Sequence, residues 1–192
     1  MPDRNDAALD FLLTRRSRPA KTLTGPVPDD DTLRTILTAA ARTPDHGKLE
    51  PWRFIVLRSA ALSRLGDLVA RRGAELGLDL EQIAKARLAY DQTDLAVVVV
   101  EVQKPSPKIP AIEQTYSAGA VCLALLNAAL AAGWGANWLS GWPSHDAAFV
   151  REALHLEEGE RVAGIVHLGT EKATPPERPR PDIDALTTWI DA

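Results

Sequence analysis

The stretch Ala111–Gly133, "AIEQTYSAGAVCLALLNAALAAG", decides the fold. Glu113 is its only charged residue. Apolar side chains on nearly every side predict a helix, Ala111 to Ala132, set at the centre of the molecule rather than on its surface. Gly133 is a natural stop, because glycine enters the left-handed conformation that ends helices. The longest apolar run, Ala120 to Trp134, is interrupted by Asn127 and is too short to span a bilayer. A buried helix is expected, with no membrane association.

Working outward, "DLAVVVVEV" at 94–102 is rich in valine and apolar at successive positions, which predicts a strand covered on both faces. Trp52–Leu57, "GANWL" at 135–139 and "VAGIVHLG" at 162–169 predict three more. Leu9, Leu12 and Leu13 repeat at helical spacing until Pro19 forbids continuation. Leu33, Ile36, Leu37 and Ala40 form a second amphipathic stripe, opened by Asp29, Asp30 and Asp31 as cap and first-turn charge. Residues 59–90 give two helical patterns broken at Gly73 and Gly77, and Ser144 is a candidate cap for a helix running to Leu154. "TLTGPVP" at 22–28 reads as loop. Helices and strands alternate with helices dominant, so the chain reads as one α+β or α/β layer domain over 1–192. The proline-rich stretch from about 171 to 192 is a poor self-contained element and is suited to embrace a partner subunit.

Bulk properties exclude several classes. The 192 residues carry a net charge of −4 and a pI near 5.6, with no broad basic field for nucleic acid. Cys122 is the only cysteine, which rules out an intrachain disulfide and favours a reducing cytoplasm. The first ten residues, "MPDRNDAALD", are acidic where a signal peptide is basic and then apolar. The four histidines lack short metal-ligand spacing, so no metal site is expected. "GWGANW" follows a helix and lacks a third glycine, so it fails as a dinucleotide fingerprint, and no G-x-S-x-G elbow is present.

Three segments can carry chemistry. "TRRSRP" sets Arg15 and Arg16 beside Ser17, two guanidinium forks and a hydroxyl suited to a phosphate. In "ARTPDHGKLEPW", Asp45 and His46 are adjacent and cannot face each other on a helix. Arg42 and His46 are four apart and would share a face if the helical path continued across Pro44. "GWGANWLSGWP" mixes glycines and tryptophans near a strand end, a possible wall for a flat ligand.

In this order, with "RTPDHGKLEPWRF" and "ANWLSG" as the most specific parts, the chain from Leu9 to Thr170 resembles the nitroreductase family of FMN flavoproteins, and within it the small YdjA-like subgroup. The resemblance implies an α+β fold with a mostly antiparallel or mixed sheet flanked by helices, and a homodimer with FMN at the subunit interface. It implies FMN contacts from Arg15, Arg16, Ser17, Arg42, His46, Leu139, Ser140 and Gly141. It further implies a nicotinamide-nucleotide contact over Ala131, Ala132, Gly133 and Trp134. The expected activity is ping-pong reduction of nitroaromatics, quinones or similar electrophiles by NADH or NADPH through flavin N5, with no catalytic side chain required. A non-catalytic FMN-binding module, or another flavin reaction such as enone reduction, dehalogenation or flavin fragmentation, is the alternative. The subgroup can carry arginine at the position of Leu139, and the wider family often has an amide at that of Glu50.

Overall fold

The computed structural model describes residues 3–190. The outermost two residues at each end of the expected 1–192 domain lie outside that range. Seven helices and five strands follow in chain order: α1 (Asp6–Thr14), β1 (Leu23–Thr24), α2 (Asp30–Ala40), β2 (Trp52–Arg58), α3 (Ser59–Glu75), α4 (Leu80–Asp91), β3 (Leu95–Glu101), α5 (Ala111–Ala131), β4 (Gly135–Leu139), α6 (Ala147–Leu154), β5 (Arg161–Glu171) and α7 (Ile183–Leu186).

The sheet is organised by β3 and β5. The order is β1-β5-β3-β2, with β4 also paired to β5, and every pairing is antiparallel. The fold is therefore α+β, and the mixed-sheet alternative does not occur among the described residues. All seven residues of β3 are buried, and their side chains alternate between two cores. Ala96, Val98 and Val100 meet Leu62, Leu65, Val69 and Phe149 from α3 and α6. Leu95, Val97 and Val99 meet Ile36, Val121, Leu125 and Ala129 from α2 and α5. The run of valines is double-sided because helices cover both faces.

The start signals act largely as the sequence indicates. Asp29 caps α2 by accepting the Thr32 N–H at 2.8 Å. Asp79 and Gln82 form a reciprocal capping box on α4. Three expectations need correction. Asp146 rather than Ser144 caps α6, accepting the Phe149 N–H at 2.7 Å, because Ser144 is taken into a 3-10 turn. Gly77, at φ +70°, separates α3 from α4, whereas Gly73 lies inside α3 and lets Ile83 approach. The segment at 22–28 is not wholly loop, since Leu23 and Thr24 pair with the end of β5.

Central placement of α5 also holds only in part. With 21 residues at mean hydropathy 1.2, it is long and apolar enough to cross a membrane, so shortness is not what argues against that role. Packing argues against it: Val121, Cys122, Leu125, Leu126 and Ala129 are buried against the sheet and α2. The opposite face is bare. Ile112, Tyr116 and Leu123 are exposed, Tyr116 by 69%, with Gly119 and Ala120 between them. Leu9, Leu12 and Leu13 of α1 are exposed too, and α1 has no buried residue.

Two buried features are open to measurement. A Cβ on Gly169 would sit 2.8 Å from the Thr24 carbonyl oxygen, so Gly169→Ala must push β1 off β5. Chemical denaturation should show a loss of about 1–3 kcal/mol, the scale of overpacking; an unchanged midpoint would reject the close approach. His167 on β5 is 1% exposed, with its Nδ1 2.9 Å from the Thr93 hydroxyl oxygen. Burial pulls this imidazole from its ordinary 6.5 down to about 4. Between those values the unfolded chain binds a proton that the folded chain refuses, so stability is full above pH 6.5 and falls as the pH drops toward 4. The contribution is on the order of 3 kcal/mol. His167→Gln should flatten that part of the acid limb in urea titrations at pH 7 and pH 4.5, and equal acid sensitivity in both proteins would exclude it.

Candidate functional site

The segment after α1 gathers cations. Arg15, the C-cap residue of α1, donates from Nη2 to the Ser17 hydroxyl oxygen at 3.1 Å. Arg16 is half-buried and donates from Nη2 to the Pro176 carbonyl at 2.9 Å. The Nε atoms of both arginines are buried without a hydrogen-bond partner. Burial, followed by the charges of Arg180, Arg16 and Arg18, lowers the affinity of Arg15 for its proton. Arg18 pairs with Glu171 at 3.1 Å, and its backbone N–H donates to the Ala136 carbonyl on β4 at 2.8 Å. Clustered guanidinium groups with unmet buried donors could accept an anion, with Glu177 the carboxylate nearest to them, 4.0 Å from Arg16 Nε and 2.8 Å from Arg180 Nη2. Arg180 joins from the C-terminal stretch, a contribution the sequence reading did not assign. Only its high arginine content, "ERPRP" at 177–181, hinted at it.

The other end of β4 forms a cavity of about 520 Å³. Leu139, Ser140 and Gly141 line it with Trp142, Ile165 and His167, and α4 supplies the opposite wall. From Ala136 to Leu139 the strand rises about 10 Å. The 3-10 turn at Ala20–Thr22, which continues the cationic segment, packs against α4. The structure thus brings Arg15–Ser17 and Leu139–Gly141 to the two ends of one short strand. Gln82, Lys85, Ala86 and Ala89 occupy the α4 wall at i, i+3, i+4 and i+7. Lys85 is the only cation of that lining, and it was missed because a lysine on an amphipathic helix ordinarily marks the solvated face.

The "RTPDH" corner lies elsewhere. Its helix ends at Ala40, and Pro44 disfavours the helical region at Thr43 before it, while Asp45 beyond it has an extended backbone. The continuous helical face proposed for Arg42 and His46 therefore does not exist. Gly47, Lys48 and Glu50 all adopt positive φ, a strained path for the latter two. Two bonds hold it: the Glu50 N–H donates to Asp45 Oδ2 at 2.6 Å, and the Ser117 hydroxyl donates to the Pro44 carbonyl at 2.7 Å. Asp45 is thus the clasp of the turn. His46 Nδ1 meets Glu113 Oε2 at 2.6 Å in the first turn of α5, beside the exposed Tyr116. Since α5 is roughly 30 Å long at 1.5 Å per residue, His46 and the arginine cluster lie near opposite ends of it.

Ala131 ends α5, Ala132 caps it and Gly133 and Trp134 follow, and none of the four lines the three cavities described for this chain. The carbonyl-rich end of a helix carries partial negative charge, which disfavours a nucleotide phosphate. Lys172 is engaged through its backbone, donating to the Thr22 carbonyl at 3.0 Å. No group of three or more metal-ligating side chains occurs among the described residues.

The family and the fold have counterparts among known proteins. Residues 12–170 match the model of the family described as "Nitroreductase family". The chain is 36% identical over 163 residues to "Putative NAD(P)H nitroreductase YdjA" of Escherichia coli K12, covering 85% of this chain and 87% of the relative. A solved nitroreductase-like family protein from Bacillus cereus superposes with a TM-score of 0.79 at 25% identity, covering all of both chains. A "putative nitroreductase in complex with FMN" from Desulfovibrio desulfuricans shares the fold, with a TM-score of 0.74 at 21% identity over 98% of this chain and 99% of the other. With a family match that spans most of its length, and a relative 36% identical over 85% of it, this chain belongs to the nitroreductase family.

Proposed function

We propose that the protein is an FMN-dependent oxidoreductase that takes electrons from NADH or NADPH and passes them to nitroaromatics, quinones or similar electrophiles in a ping-pong cycle. The observation that carries this reading is the pair of buried Nε atoms without a hydrogen bond on Arg15 and Arg16 at one end of β4, with the 520 Å³ cavity at its other end. A phosphate monoester satisfies such donors bidentately, and a flat heterocycle suits a cavity walled by Leu139, Ile165, Trp142 and two alanines of α4.

When bound, FMN supplies the two-electron redox chemistry. The chain supplies placement and charge. Arg15, Arg16 and Ser17 hold the phosphate, and Leu139, Ser140 and Gly141 border the ring. Lys85, the one positive charge of the cavity lining, would stabilise the negative charge of a reduced cofactor bound there. Donor and acceptor use the same cavity in turn, so Ala131–Trp134 is not needed for nucleotide docking.

The remaining contacts, Arg42 and His46, come from a second copy. One chain cannot set both ends of α5 against a single cofactor. Two copies crossing antiparallel along the bare face of α5 would place the partner's "RTPDH" corner at this chain's arginine cluster. That arrangement also covers Ile112, Tyr116 and Leu123. The C-terminal stretch, with Ile183, Leu186, Trp189 and Ile190 exposed, acts as a strap over the partner.

Purified protein is expected to be yellow, and NADH or NADPH should bleach it anaerobically. Flavin that stays oxidised would favour a non-catalytic FMN-binding module, and failure to load FMN would reject the reading altogether. Arg16→Ala should weaken FMN binding by about 1.5–3 kcal/mol, the scale of a charged hydrogen bond; an unaltered titration would remove Arg16 from the phosphate site. Leu123→Arg should give a monomer in light scattering and lose FMN with it. A dimer that persists with full flavin content would refute the shared interface.

A further inference from the structure

Two cavities lie back to back across the turn that joins β4 to α6. Ser140 lines the first; His145 lines the second, a cavity of about 400 Å³. The imidazole Nε2 of His145 is 3.1 Å from the Ser140 hydroxyl oxygen. The turn holds this pairing firmly. The Ser144 N–H donates to the Gly141 carbonyl, and the His145 and Asp146 N–H groups both donate to the Trp142 carbonyl, each at 3.0 Å. Asp146 is fixed in turn by Arg72, through bonds of 2.9 and 3.1 Å.

We propose that His145 sets the sense of the Ser140 hydroxyl and through it delivers the proton that accompanies hydride transfer to the acceptor. The proposal rests on reading the larger cavity as the flavin and acceptor site. A neutral imidazole with its lone pair on Nε2 accepts the serine O–H, which leaves only oxygen lone pairs facing the cavity. A protonated imidazole donates Nε2–H to the oxygen and frees the serine hydrogen for the cavity. The same side chain is thus an acceptor in one state and a donor in the other.

The surrounding charges leave this task to His145. Glu101 at the end of β3 is bound by Arg161 at 2.8 Å and by Thr115 of α5 at 2.6 Å. Glu160 is bound bidentately by Arg53 of β2 at 2.7 and 2.6 Å. Asp146 is committed to Arg72. α5 presents neutral Thr115 and Gly119 to the second cavity, and α6 presents Ala147 and Val150. Lys85 faces the first cavity only. Each nearby carboxylate has its own cation, while His145 is exposed and can regain a proton from solvent.

For a quinone the balance is simple. Hydride, supplied ultimately by NAD(P)H, forms one new bond on the quinone, and the displaced electron pair comes to rest on the remaining carbonyl oxygen. That oxygen takes the Ser140 proton as His145 Nε2–H replaces it. Quinone plus hydride plus one proton gives hydroquinone, and the neutral imidazole is reprotonated by water. His145 acts through Ser140 and is a positioning residue.

The test has two parts. In cofactor-free protein, NMR titration of the histidine rings should show the His145 midpoint shifting in Ser140→Ala, with those of His46 and His155 unmoved. In FMN-loaded His145→Gln, stopped-flow reoxidation by a water-soluble benzoquinone should slow by about tenfold or more, toward the scale of a lost general acid. It should also lose its pH dependence. An indifferent His145 titration, or wild-type reoxidation with a wild-type pH profile, would overturn the relay. Failure to load FMN would instead overturn the proposed function and the relay's chemistry with it, while the titration would still report on the Ser140–His145 pair.

Discussion

The constraint on which the structure depends is a helix that is apolar on every side. α5 can bury only one face against a twisted sheet. β3, β4 and β5 take that face together with α2, and they fill it with Val121, Leu125 and Ala129. The other face presents Ile112, Tyr116 and Leu123 with small residues between them, which lets a second helix approach closely. The segments proposed to hold the cofactor lie toward the two ends of this rod. At its C-terminal end the chain turns at Gly133, enters β4 and passes Arg18. At its N-terminal end it carries Glu113 against His46.

Within the sheet, the same economy governs backbone approach. Gly135 and Gly169 face each other across β4 and β5, and both lie under Leu23. Glycine at these points lets the two-residue strand β1 settle on the end of β5. That contact anchors the segment whose preceding residues are the arginine cluster. Site geometry is therefore tied to sheet geometry through a few positions with no side chain.

Much of the fold could be read from the sequence because periodicity and caps reflect local physics. The valine run of β3, the stripe of α2 with Asp29 before it, and the stop at Gly133 all appear where pattern and turn chemistry predict. β1 could not be read, since two residues offer no period and their partners, Glu171 for Leu23 and Thr170 for Thr24, lie at the far end of the sequence. The Ser144 cap failed because a nearer aspartate competed. Of the candidate site, "RRS" was legible as a chemical grouping, whereas Leu139, Ser140 and Gly141 entered only through the family resemblance. Lys85 and Arg180 were not assigned, because each becomes informative only when tertiary packing aims it at a cavity or a charge cluster. The Arg42–His46 pairing failed for a local reason, the backbone forced by Pro44.

The separation of His46 from Arg16 along α5 has a genetic consequence in the proposed dimer. Each cofactor would be held by one end of one chain and the other end of its partner. A chain damaged at Arg16 and a chain damaged at His46, mixed within one dimer, would confine both injuries to a single site and leave the second site whole. Alleles that are each inactive alone would then complement when co-expressed, at up to half the normal complement of working sites per mixed dimer, and the pattern of which alleles rescue which would trace the two ends of the helix.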